Sequence, residues 1–277
     1  MQDLIIGLRS VASLIEINCV DHQLASTIRF IEALPKMSPQ PKLKLRIGTV
    51  VLDGSFYDLA DCYGGYPGTP SHLLNRCHRI ARDLMLEEAS GMPILHAATI
   101  VSNDQRMLVL ADKRAGKTTL SLKCLAEGLQ VEGDEHVVIR PNDVLARPRT
   151  LRIKQGSIEY VPELADRIRA CPSIADWTGE QIYSMPPQTD ETDWRISPGS
   201  ADFLLFISAN HGGLTSTKRL SANAAFERLL KQAYLPDQAK TAALARLHML
   251  CAQAERIEIR LGCLKTAISH LRSLSGG

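Results

Sequence analysis

The residues with the most chemistry to offer stand together in Ala111-Asp112-Lys113-Arg114-Ala115-Gly116-Lys117-Thr118-Thr119. The closing Gly-Lys-Thr matches the end of a G-x-x-x-x-G-K-[ST] pattern, with Ala111 where the first glycine stands. Each residue type has a physical task. Backbone N–H groups at a helix start hold phosphate oxygens, a lysine reaches the outer phosphates, and the hydroxyl beside it holds Mg²⁺. Gly116, Lys117 and Thr118 supply those parts, so residues 111–119 are the expected nucleotide-binding segment. Ala111 departs from the pattern, because alanine is confined to the negative-φ region that glycine can leave. The plainer alternative is that Gly-Lys-Thr-Thr only starts an ordinary helix.

A phosphate-transfer site also needs a carboxylate to help hold the metal. Gly133-Asp134-Glu135-His136 interrupts an apolar stretch that begins at Val131 and resumes as Val137-Val138-Ile139. Two acids in a buried strand need a cation or a proton partner. An exposed edge or turn, with Gly133 marking a bulge, is the alternative. The pair falls one helix after Lys117, as a strand–loop–helix–strand unit would place it. His96, in Ile94-Leu95-His96-Ala97-Ala98, lies one strand before the loop strand and is either a catalytic group or a satisfied core histidine. His136 follows the acidic pair and is expected on the other face.

These residues must be carried by regular elements. Met107 to Leu110 reads as a buried strand entering the loop, and Leu120 to Gly128 as a helix leaving it and ending at a glycine. Earlier, Leu4 to Leu8, Ser13 to Val20 and Leu43 to Leu52 read as strands, with helical spacing over Gln23 to Leu34. Gly64 to Pro70 is a loop by composition, and a helix runs from Ser71 to about Ala89. Gly91-Met92-Pro93 ends it, dividing the chain into a smaller N-terminal α+β domain, 1–92, and a second domain, 93–277. Ile94 to Val101 and Arg106 to Leu110 form a hairpin about Ser102–Gln105. Gln130 to Arg140, Val144 to Ala146, Leu151 to Lys154, Phe203 to Ser208 and Arg256 to Leu261 are further strands. Helices follow at Ala222 to Tyr234, Asp237 to Ala254 and Leu264 to Leu274. The fold class is α/β with a mixed sheet. Cys171 to Pro198, punctuated by prolines, reads as a long surface loop.

Composition bounds the partners. The chain has 277 residues, 45% hydrophobic and 22% charged, with a formal charge of +2, which gives no reason to expect nucleic acid. Each apolar run is too short for a membrane span, and the N-terminus lacks a signal-peptide pattern. Seven cysteines without Cys-x-x-Cys pairs suit reduced thiols and a cytoplasmic location.

Leu95-His96-Ala97-Ala98, then Leu110 through Thr119, then Glu127-Gly128-Leu129-Gln130, then Gly133-Asp134-Glu135 resembles, in that order, the HPr kinase/phosphorylase-like kinases. The chain is similar, too, to the HPr-kinase-related proteins of bacterial gene clusters, and the resemblance covers about residue 93 to the end. It implies a P-loop core of the HPr kinase/phosphoenolpyruvate carboxykinase type. It also implies ATP and Mg²⁺ as cofactors and transfer of the γ-phosphate to a hydroxyl. The implied acceptor is a serine of a peptide or small protein, including ribosomally made peptides such as lasso peptide precursors. Lys117 would contact the β- and γ-phosphates, and Thr118 would hold Mg²⁺. Asp134 would act as base or metal contact, with Glu135 supporting the metal. His96 would sit beside the γ-phosphate and orient the acid. Arg147, Arg149 and Lys154 would steady the transferred phosphate, or form only a solvated strand edge. The resemblance also implies self-association, for which the Leu43 to Leu52 strand needs a partner surface. Trp177, Tyr183 and Trp194 are expected either to cover an acceptor or to pack onto their own domain. Two other readings stay open: a non-catalytic nucleotide-binding regulator, and a kinase of a free small molecule.

Overall fold

The computed structural model describes residues 4–276 apart from 20–21, 38–41, 53–54, 61–63, 69 and 177. The chain builds two units. Met1–Glu88, Pro148–Ile158 and Ala165–Pro186 make one; Ala89–Arg147, Glu159–Leu164 and Pro187–Gly277 make the other. The expected division is a single break at 92/93, whereas the first unit here ends at Glu88 and two later stretches group with it.

The first unit begins with β1 (Leu4–Arg9), β2 (Ser13–Cys19), α1 (His22–Ile28), β3 (Lys36–Met37), β4 (Lys42–Leu52), β5 (Ser55–Ala60), β6 (Gly64–Gly68) and α2 (Pro70–Glu88). Its sheet has the order β1-β2-β4-β5-β6, with β2 and β4 parallel and the other pairs antiparallel. Two expectations are corrected here. Gly64 to Gly68 is a strand, not a loop, because its main chain pairs with β5 in register, Asp58 opposite Tyr66. It lies at the sheet edge, where the N–H missing from Pro67 is tolerated. The Leu43 to Leu52 strand needs no outside partner, since β2 and β5 flank it.

The second unit opens with β7 (Ile94–Leu95), β8 (Ala97–Ser102), β9 (Gln105–Ala111), α3 (Lys117–Ala126), β10 (Gln130–Gly133), β11 (Val137–Ile139) and β12 (Val144–Ala146). The chain then returns to the first unit as β13 (Leu151–Lys154), α4 (Ala165–Arg169), β14 (Ser173–Ala175) and β15 (Gln181–Met185), which form an antiparallel β13-β15-β14 sheet. The stretch 171–198 is therefore not one long loop. Ile182 and Tyr183 pair along β13, and Trp194 is buried with its indole N–H donating to the Glu132 carbonyl at 2.9 Å. Trp177 lies outside the described residues. The second unit closes with β16 (Arg195–Ile196), β17 (Phe203–Ala209), β18 (Ser216–Arg219), α5 (Ala222–Lys231), β19 (Ala233–Tyr234), α6 (Lys240–Gln253), β20 (Glu255–Leu261) and α7 (Leu264–Leu274).

The second unit is α/β. Its main sheet is mixed, in the order β10-β8-β9-β17-β20-β18. Alternate residues of β9 and β17 divide between its faces, as a period of two requires. Leu108, Leu110, Leu204 and Phe206 join Leu229 of α5 and Leu247 and Leu250 of α6 in one core. α3 and α7 pack on β8, β9 and β20. A second sheet, β12-β11-β7-β19, adds Leu95, Val137 and Ile139 to the first core. Gln130 to Arg140 is thus two strands in two sheets rather than one, and the chain changes sheet at the acidic pair. The hairpin between β8 and β9 turns on Asn103 and Asp104, both at positive φ (48° and 61°), which suits a two-residue turn of type I′.

Strand direction gathers the site. β9, β17 and β20 are parallel, and β10 and β9 are both antiparallel to β8. The C-terminal ends of β9, β10, β17 and β20 and the start of β8 therefore share one end of the sheet. In open α/β sheets that is where ligands bind.

Candidate active site

At that end β9 gives way to a tight loop and then to α3. Ala111 is the last residue of β9, buried, at negative φ and paired with Ile207 of β17. Its place in a strand removes the need for glycine there. Asp112, Lys113 and Arg114 are exposed, and Arg114 is held at φ 70°. The Asp112 carbonyl accepts from the Ala115 N–H at 3.1 Å, closing the turn. Gly116 then adopts φ 98°, where an L side chain is strained, and caps α3 with no side-chain hydrogen bond. An added Cβ would also stand 3.0 Å from Leu261 Cδ2. The helix start is thus dressed by glycine rather than by a Ser or Asp side chain, and the positive end of the α3 dipole faces the loop.

Lys117 and Asp134 are both buried, each 8% exposed. The Lys117 ammonium donates to the Asp134 main-chain oxygen at 2.6 Å, and the Thr118 hydroxyl donates to Asp134 Oδ2 at 2.7 Å. Each buried charge thus has a hydrogen-bond partner, which lowers the cost of removing it from water. Thr119 is half-buried in the first turn, and Ser121 Oγ returns to the Lys117 carbonyl at 3.1 Å. At the far end of α3, Lys123 lies between Glu163 (2.6 Å) and Glu127 (3.2 Å). The Glu163 hydrogen bond pushes its ammonium pKa up.

A bulge in β10 sets Asp134 in place. The register with β8 shifts between Val131 and Gly133, which puts Glu132 on the bulge and Asp134 at the strand end. Glu132 is fully buried, with Oε1 accepting from Arg106 Nη2 at 3.1 Å and from the Ser197 N–H and hydroxyl at 3.1 and 3.2 Å. Gly133 lets the chain pass the Arg147 carbonyl, which would lie 3.3 Å from a Cβ there.

Glu135 and His136 follow at the change of sheet. His136 Nδ1 is 3.3 Å from Arg147 Nη1, and Glu135 Oε2 is 3.7 Å from His136 Nδ1 and 4.0 Å from Arg147 Nη1. Arginine has no acceptor, so that hydrogen bond requires His136 Nδ1 to accept and Nε2 to carry the proton. His96 is not inside a strand. It is exposed in the break between β7 and β8, with its ring centre 6.3 Å from that of His136.

No family model matches the sequence, and no curated protein matches it. Among solved structures, the Hpr(Ser) kinase/phosphatase from Coxiella burnetii aligns at 12% identity and a TM-score of 0.31, over 66% of this chain and 99% of that one. Neither figure transfers a residue role or a reaction.

The second unit thus brings together Ala111 through Thr119, Asp134, Glu135 and His96. Arg147 belongs to it too, with only 5% of its surface exposed. Arg149 and Lys154 belong to the first unit, where Lys154 pairs with Glu180 on the small sheet. Sequence reasoning missed Gln232. Its amide donates to Asp112 Oδ1 at 2.9 Å, and its carbonyl accepts from the His96 N–H at 2.8 Å, so one residue past α5 ties the loop to the β7–β8 break. No local pattern marks it, because its partners are more than a hundred residues away.

Proposed function

We propose that this protein binds ATP with Mg²⁺ at residues 111–119 and transfers the γ-phosphate to a hydroxyl, with serine of a peptide or small protein as the acceptor. One observation carries the reading: Asp134 meets both Lys117 and the Thr118 hydroxyl across the loop. An ammonium, a hydroxyl and a carboxylate at an open helix start are the groups that phosphoryl transfer employs. Lys117 would turn from the Asp134 carbonyl to the β- and γ-phosphates.

The donors suit Mg²⁺. Among the described residues no three His, Cys, Asp or Glu side chains converge as a metal cage. Magnesium in phosphate chemistry does not require one, since it keeps waters and phosphate oxygens and takes one or two carboxylates. Thr118 Oγ1 and Asp134 Oδ2, hydrogen-bonded to each other at 2.7 Å, are the hard oxygen donors that would hold the ion. The ion would neutralise charge developing between the β- and γ-phosphates. Asp134 would hold it or accept the acceptor's proton, Glu135 would support it, and His96 and Arg147 would flank the transferred group.

Ala111 lies inside β9 at negative φ, so the alanine there lends no support to the reading of a regulator that has lost catalysis. Incubation with γ-labelled ATP, a panel of serine peptides and free serine tests the reading. Labelled peptide is expected with the wild type and none with Lys117→Ala. Label on free serine alone would make this a small-molecule kinase. ATP binding without transfer to any acceptor would make it a regulator.

A further inference from the structure

The segment between β17 and β18, residues 210–215, is unusually well tied for a surface loop. The Asn210 N–H donates to the Leu261 carbonyl at 2.9 Å, and its side-chain amide donates to the Leu214 carbonyl at 2.8 Å. Thr215 Oγ1 donates to the Cys263 carbonyl at 2.9 Å and accepts from the Gly262 and Cys263 N–H groups at 3.1 and 2.7 Å. Gly262 runs so close that a Cβ on it would lie 1.9 Å from the Gly213 carbonyl oxygen. Yet this fixed loop holds Leu214 at 87% exposure, the highest among the large hydrophobic side chains described. Holding an apolar side chain in water costs free energy that a ligand could recover.

Its place in the sheet says which ligand. The loop leaves the C-terminal end of β17, the end that also carries residues 112–116. Leu261, whose carbonyl Asn210 holds, is the residue that a Cβ on Gly116 would touch. The loop therefore adjoins the start of α3 from the β17–β20 side, while Asp134 reaches it from the β10 side. A nucleotide with its terminal phosphate toward Lys117 and Asp134 would meet this loop if its nucleoside runs away from Asp134, over the ends of β17 and β20.

We propose that the 210–215 loop is the nucleobase platform of the nucleotide site, with Leu214 as its apolar contact. This rests on the nucleotide-binding reading above. Covering one leucine with a base is worth about a tenfold change in affinity. Titration calorimetry with Mg²⁺, using ATP and inorganic tripolyphosphate in turn, tests it on the wild type, Leu214→Asn and Leu214→Met. Leu214→Asn is expected to weaken ATP about tenfold and leave tripolyphosphate unchanged, with Leu214→Met close to wild type. Melting curves should coincide, because the side chain supports no core. Unchanged ATP affinity in Leu214→Asn, or parallel weakening of both ligands, overturns the platform. So does a wild type that binds ATP no tighter than tripolyphosphate. If the wild type binds neither ligand, the nucleotide-binding reading itself falls, and the platform with it.

Discussion

Replacing Asp134 with asparagine separates the two ways in which this residue holds the loop. Lys117 is held by the main-chain oxygen of Asp134, which the substitution does not touch. The Thr118 hydroxyl is held by the carboxylate, and an amide oxygen at the same place still accepts that hydrogen bond. What disappears is one charge. Hydrogen bonds to charged groups contribute about 1.5–3 kcal/mol against about 0.5–1.5 for neutral ones, so the loss should be about 1 kcal/mol. In a chain of this size that lowers Tm by about 2–4 °C. The catalytic loss should be of another order. Removing a group that takes a proton or holds the metal in the transition state costs roughly 100- to 10,000-fold in turnover. Circular dichroism melts and initial rates with labelled ATP give both numbers on one preparation. A Tm drop beyond about 10 °C would make Asp134 a structural residue, and unreduced turnover would remove it from the chemistry.

Three further outcomes are expected. Glu132→Ala should lose about 3–5 kcal/mol in denaturant melts, because it strands the buried Arg106 guanidinium, whereas a surface control such as Glu159→Ala should stay within about 0.5. Gly116→Ala should cost about 1–2 kcal/mol from its positive φ and disturb the helix start against Leu261, so ATP affinity should fall well beyond what the stability loss explains. Hydrogen bonds from the Thr266 backbone and hydroxyl hold the exposed Cys263 thiol below the ordinary thiol range, whereas burial pushes Cys251 up to about 11 and Cys124 higher. A lowered pKa gives more thiolate at pH 7–8, an advantage that shrinks as pH falls beneath it. Iodoacetamide followed by peptide mapping should therefore modify Cys263 at least about tenfold faster than Cys251 or Cys124.

The centre of the candidate site was legible because chemistry and secondary structure coincide there. Gly116, Lys117 and Thr118 mark a strand–loop–helix by residue type, and Asp134 with Glu135 interrupts an apolar stretch one helix after them. Legibility fades where distant pairing decides. Arg147 and Arg149 look alike in sequence, yet the chain passes from the second unit to the first between them. His96 sits in an apolar context that suggests burial. A change of sheet at that residue turns it outward instead. Residues 171–198 look like a loop because prolines and polar residues dominate. The neighbouring Ile182 and Tyr183, residue types that favour strands, were the available sign of β15. Gly64 to Gly68 shows the converse, a strand paired with β5 against its own composition.

The interleaving of the two units bears on how the chain is made. The Ser184 hydroxyl donates to the Phe30 carbonyl at 2.6 Å, a link across 154 positions of sequence. Arg152 lies over the Phe30 ring at 3.8 Å and also donates to that carbonyl. On a ribosome adding about 5–20 residues per second, Phe30 waits roughly eight to thirty seconds for Ser184 to be synthesised. In that interval β7 through β12 and the phosphate-loop segment are already out, whereas β17 and β20, which complete their sheet, are not. Neither unit can close vectorially from its own N-terminus. The nascent chain must hold both unfinished, and a chain started at residue 93 would release β13 and β15 without the Phe30 segment that they meet.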